Sequence, residues 1–241
     1  MSRLLSTMKT DVVVQVRTNL YTIGVVAGVI TAVVLSQLAS PDQMVSLVPT
    51  LMLLVVGGST LLYVAAMILF EKDEGTLWAM IVSPVRPSEY LWSKIITLTA
   101  LATFESVVMI AGTMLIMQFT GGISLPNIPL LLLGIVAIGI LYTLTGIVLV
   151  VRYTSITDFL LPMAAIAVIL QLPFLYFLGW VEHWLLLLIP TSAPTMLMVG
   201  AYRPLAGWEW AYGLVGTAVL IVGLTIWAYR AFQTHIIEKV G

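Results

Sequence analysis

The chain has no cysteine. That excludes disulfides, thiol nucleophiles and thiolate metal sites, and leaves the redox compartment unread. Charge is nearly as scarce. Lys, Arg, Asp and Glu make up 9% of 241 residues and the net charge is −1, which argues against a nucleic-acid partner. The only histidines, His183 and His235, lie far apart in sequence, so a histidine metal site is not expected. A Gly-x-x-x-x-Gly-Lys-[Ser/Thr] phosphate loop is missing too. The nearest stretch, Gly57-Gly58-Ser59-Thr60, lacks the lysine, so no cofactor or metal is expected on this chain. No small-residue cleavage site follows the first apolar run, and no signal peptide is expected.

What is present is apolar. Hydrophobic residues are 61% of the chain and mean hydropathy is +1.11. Runs of about 20 apolar residues recur, each long enough for a hydrocarbon core of about 30 Å. The pattern predicts an all-α membrane protein forming a single transmembrane domain over residues 1–241. Its six spans are placed near 20–38, 47–70, 95–119, 128–151, 157–178 and 211–229. With the N-terminus inside, nine basic residues (Arg3, Lys9, Arg17, Lys72, Arg86, Lys94, Arg152, Arg230, Lys239) fall on the inner side and only Arg203 outside. This bias puts both termini in the cytoplasm.

Residues 1–19 read as an amphipathic helix in the inner headgroup layer. Leu4, Leu5, Met8, Val12 and Val16 recur at helical spacing, while Arg3, Lys9, Asp11, Gln15 and Arg17 mostly face elsewhere. Residues 183–203 are apolar enough to suggest a seventh span, but Pro190 and Pro194 interrupt them. Proline breaks the helical ladder, and a re-entrant hairpin on the outer face is the preferred reading.

Seven of the 21 charged residues fall between Phe70 and Lys94. A plain connection between spans needs few polar residues. Here Glu71, Lys72, Asp73 and Glu74 are followed by Gly75 and Thr76, then by apolar Leu77, Trp78, Met80, Ile81 and Val82. Ser83-Pro84 stops the run, Arg86-Pro87 turns the chain, and Ser88 is placed to cap the third-span helix. The acids suit a helix N-terminus. The segment 71–94 thus reads as a short cytoplasmic helix with an apolar face that needs a protein partner, since lipid-surface helices are usually basic.

Glu105 is the one acid placed deep in a span. It lies 11 residues past Lys94, about 16 Å along a helix, where an ionisable group marks a candidate functional site. No basic residue is placed in another span to pair with it. Thr103, Ser106, Tyr142, Thr143 and Thr145 are candidate hydrogen-bond partners. A contact to a cation or polar substrate and a neutral acid bridging helices both remain open. In the fifth span, Pro162 and Pro173 predict kinks and Thr154-Ser155 before Asp158 a helix cap. Gly24 and Gly28 form a small-xxx-small pair in the first span.

Glu71-Lys72-Asp73-Glu74-Gly75-Thr76-Leu77, followed by Ser83-Pro84 and Arg86, resembles the loop after the second span of type-2 ATP-binding-cassette exporter permeases. Lys72 and Asp73 stand where that family more often has Arg and Glu. Six spans, inward termini, the amphipathic start and the segment before the last span extend the likeness along the whole chain. It looks most like small bacterial drug-export permeases. The resemblance implies that residues 71–94, Trp78 included, form a coupling helix gripped by a separate ATPase subunit, with ATP and Mg bound there. It further implies two such ATPases, a second permease (identical or a sister chain), and a hydrophobic or amphipathic small molecule, drug-like or lipid-like, as cargo. The setting implied is the plasma membrane of a prokaryote. The second and fifth spans would line the path, bringing in Met52, Ser59, Tyr63, Met67, Met163, Gln171 and Phe174 beside Glu105. Such Met and aromatic positions also serve plain packing. The alternatives are an ion-gradient-driven transporter or channel subunit using Glu105, and an intramembrane enzyme, for which one acid without converging partners is a poor start.

Overall fold

The computed structural model describes residues 3–38, 40–77, 86–120 and 125–237. Six of its helices are long and apolar enough to cross a membrane. A short helix, α1 (Arg3–Arg17), precedes the first of them, α2 (Leu20–Leu38). The others are α3 (Met44–Asp73), α4 (Pro87–Thr120), α5 (Ile128–Val150), α6 (Ile156–Phe177) and α8 (Gly207–Ile237), with the eight-residue α7 (Ser192–Val199) before the last. Four spans begin before their predicted starts, α4 by the most, because hydropathy registers only the apolar part of a helix. α4 begins at Pro87 and, with 34 residues, is about 51 Å long. Its start is capped not by Ser88 but by Glu89, whose Oε2 accepts the Arg86 N–H at 2.8 Å. The cap expected at Ser155 is present: its Oγ accepts the Asp158 N–H at 3.2 Å.

α1 and α2 run beside α4 in the same direction. Asp11 meets Ser93 and Lys94, and Ala32 lies against Gly112. A Cβ on Gly28 would sit 3.1 Å from the Glu105 carbonyl oxygen, and one on Gly24 3.3 Å from the Tyr63 hydroxyl. The small pair is thus what lets α2 approach this closely. α1 is a helix as predicted, but its faces are assigned differently. Asp11 and Gln15 are buried against α4, while Leu5, Val12, Val13 and Val16 are exposed. Burying Asp11 is favourable here because α4 offers it Ser93 and Lys94 as partners.

α5 is the central element. Of its most apolar stretch 72% is buried, against 17% in α6 and in α8, so the last two long helices leave broad faces for lipid or another chain. α3 carries Pro49 and then a wide turn at Met52–Val56, a local defect of the kind that proline's missing N–H favours. In α6, Pro173 interrupts the ladder, and the Leu170 carbonyl is taken by the Thr191 hydroxyl at 2.5 Å.

The segment 183–203 contains no seventh span. α7 is about 12 Å long, far short of a bilayer, and all eight of its residues are buried. Its flanks are tied to the starts of α5 and α8. The Asn127 N–H donates to Ala201 O at 2.7 Å, and the Tyr212 hydroxyl to Leu187 O at 2.5 Å. At the other end of the bundle the Tyr90 and Phe232 rings stack at 5.3 Å. Leu20, Leu77, Tyr90, Phe232 and Ile236 share one apolar cluster there. The end of α3, the start of α4 and the end of α8 therefore meet at one end of the molecule.

Candidate functional site

The acidic run does not open a new helix. Glu71, Lys72 and Asp73 form the last turn of α3, where the helix dipole disfavours negative charge. Gly75 ends the turn with φ +73°, a left-handed conformation that glycine adopts at little cost. Its N–H donates to Lys72 O at 3.1 Å. Helix resumes at Thr76–Leu77. Asp73 and Glu74 are exposed, and Leu77 is buried.

The penalty on Glu71 is offset by a cation. Lys94 Nζ donates to Glu71 Oε1 at 2.5 Å and to Asp11 Oδ1 at 2.6 Å, with the lysine side chain 0% exposed. The Tyr90 hydroxyl donates to Glu71 Oε2 at 2.6 Å, and the Ser93 hydroxyl to Asp11 Oδ2 at 2.5 Å. Nζ also lies 5.1 Å from the centre of the Tyr90 ring. One lysine thus ties together α1, the end of α3 and the start of α4. The neighbouring Lys72 reaches the other way. Its Nζ donates to the carbonyls of Val150, Val151 and Tyr153 at 3.2, 3.1 and 2.7 Å, closing the C-terminus of α5 as a cation should.

The second cluster lies in mid-span. Glu105 Oε2 accepts from the Ser59 hydroxyl at 2.8 Å and the Tyr63 hydroxyl at 2.9 Å. Oε1 is buried without a partner. None of the polar neighbours expected from sequence bonds to the carboxyl. Thr103, Ser106 and Thr145 donate to carbonyls of their own helices, and the Tyr142 and Thr143 hydroxyls are buried without partners.

Of the residues expected along a path, three converge: Ser59, Tyr63 and Glu105. Gln171 makes a separate link, its Nε2 donating to Leu54 O in the wide turn of α3 at 3.1 Å, so the second and fifth spans touch there. Met52 and Met67 are buried in the core. Met163 and Phe174 are half-buried against it, with the Phe174 ring 6.0 Å from that of Trp180. An apolar groove of 620 Å³ lies elsewhere, along α4 and α5, lined by residues such as Trp92, Thr99, Phe104 and Val136. Arg86 is exposed; Trp78, Ser83 and Pro84 lie outside the described residues. At the far end, Arg203 forks onto Glu209 at 2.9 and 2.6 Å. That bond holds the guanidinium above its ordinary pKa, partly offset by burial.

Asp11, Tyr90, Ser93 and Lys94 were not singled out as site residues from sequence. The available signal was a polar stripe at helical spacing, Tyr90, Ser93, Lys94 and Thr97, opposite Asp11 and Gln15 four apart.

Six helices long and apolar enough to cross a membrane define an integral membrane protein. The chain belongs to the fluoroquinolones export permease protein family, which it matches over residues 2–240. It is 30% identical to the fluoroquinolones export permease proteins of two Mycobacterium tuberculosis strains, CDC 1551 and H37Rv. Each alignment covers 100% of this chain and 99% of the relative. The resemblance seen in the loop motif thus leads to a drug-export permease over the whole length.

Proposed function

We propose that this chain is the membrane subunit of an ATP-driven exporter. Two separate ATPase subunits carry ATP and Mg and grip residues 71–86. A second permease, identical or a sister chain, completes the path. The chain itself catalyses no reaction. Its cargo is a hydrophobic or amphipathic small molecule; the relatives' names make a fluoroquinolone the first to try. It sits in the plasma membrane of a prokaryote with both ends in the cytoplasm and residues 183–203 re-entering from outside.

The observation that carries this reading is the end of α3. Glu71 and Lys72 are anchored to neighbouring helices, while Asp73 and Glu74 stand exposed beside a left-handed glycine turn. That suits a handle, rigid at its root and open to a partner. Replacing Glu74 by Arg together with Gly75 by Pro is expected to abolish drug efflux while the protein still reaches the membrane. Unchanged efflux in that variant would sink the reading.

A second reading rests on Glu105. A buried carboxyl with one oxygen unpartnered suits a proton-coupled transporter. Under it Glu105→Gln stops transport and the loop variant spares it; under the first reading the outcomes are reversed.

A further inference from the structure

The structure assigns Lys94 a role that the loop motif does not contain. We propose that Lys94 is a positioning residue that locks α1 to the last turn of α3 as one rigid unit. Any push on the segment after Glu71 then reaches the first span through Asp11. The functional half of this inference rests on the export reading above; the mechanical half does not.

Three observations converge on it. Lys94 is the only cation within bonding distance of both Asp11 and Glu71 among the described residues. Its two carboxylates come from chain segments that otherwise meet mainly through α4. Every carboxyl oxygen in the cluster has a donor: Asp11 takes Lys94 and Ser93, and Glu71 takes Lys94 and Tyr90. An ion cluster with all partners present holds a single geometry, and losing the shared cation leaves the buried Asp11 and the half-buried Glu71 carboxylates uncompensated. α1 packs along α4, but most of that contact is not polar bonding. The Gln15 amide is buried with neither atom bonded, and several of the helix's apolar residues face outward. Asp11 ties it to α4 through Ser93 and Lys94. Beyond Thr18 and Asn19 the chain continues directly into α2, so displacing α1 displaces the first span.

The chain has no cysteine, so spin labels can be placed at Lys9 and Asp73, both exposed, without background. In nanodiscs the 9–73 distance is expected to be single and narrow in the wild type and in Lys94→Arg. It is expected to broaden in Asp11→Asn, which leaves the Lys94–Glu71 pair intact. It should broaden too in the neutral triple variant Asp11→Asn, Glu71→Gln, Lys94→Met, which leaves no buried charge unpaired. Melting temperature and gel-filtration profile show that the variants are folded. A narrow, unshifted distance in folded Asp11→Asn overturns the lock.

The second arm uses the complex with whatever ATPase co-purifies, reconstituted with a fluorescent fluoroquinolone. Asp11→Asn is expected to lower transport per ATP hydrolysed about tenfold, a typical coupling energy, with ATP turnover retained. Unchanged transport per ATP overturns the functional half. If no ATPase co-purifies and nucleotide changes nothing, the export reading has failed, while the distance measurement still decides the lock.

Discussion

Two carboxyl clusters meet one helix, α4, at Lys94 and at Glu105, 11 residues apart, and are built differently. At the Lys94 end, two acids share a cation and each oxygen has its own donor. At Glu105, two hydroxyls crowd one oxygen and the other has nothing. A buried charge is tolerated when paired and fully hydrogen-bonded. The first cluster meets that condition and is suited to hold helices in one arrangement. The second does not, and is suited to change: its free oxygen is a place for a proton, a polar group of cargo or a rearranged neighbour.

The largest break in this contrast comes from Lys94→Met. It strands Asp11 and Glu71 without a cation, and is expected to cost about 3–5 kcal/mol, read as a large fall in melting temperature or in the yield of folded protein. Next is Glu105→Leu. It leaves the Tyr63 hydroxyl buried without its acceptor, at about 1–3 kcal/mol, measured by the same melt in detergent. Gly75→Ala forces a side chain into the left-handed turn at φ +73°. About 1 kcal/mol is expected, with proteolysis at the end of α3 as a local readout. Glu105→Gln sharpens the contrast from the other side. It keeps an acceptor for Ser59 and Tyr63, so less than about 1 kcal/mol is expected; a loss as large as that of Lys94→Met would show that Glu105 is charge-paired after all. Smallest is Arg203→Ala. Its partner Glu209 is mostly buried, but the guanidinium is 44% exposed, and about 0.5–1 kcal/mol is expected.

Much of the architecture was legible because a bilayer imposes a long apolar run on each spanning helix. The span at 20–38 coincides with α2, and that at 128–151 ends within a residue of α5. The spans at 95–119 and 211–229 were read short because polar extensions such as Tyr90–Lys94 carry no hydropathy signal although they remain helical. The site was less legible. Ser59, Tyr63 and Glu105 were each singled out, but not as mutual partners, since they are 42 and 46 residues apart and only the packing of α3 on α4 brings them together. The acids of the loop were read as a helix start because composition does not distinguish the last turn of one helix from the first turn of the next; the left-handed Gly75 does.

By itself the sequence determined that this chain belongs in a membrane, has six runs long and apolar enough to cross it, and concentrates a third of its charge between Phe70 and Lys94. Those properties follow from the transfer of apolar and charged groups, which is nearly additive along a chain. Tertiary structure alone decided which acid meets which base, because a buried ion pair depends on distances of a few ångströms between residues as far apart as Asp11 and Lys94. It also decided that α1 turns Asp11 inward, because α4 presents Ser93 and Lys94 at that level.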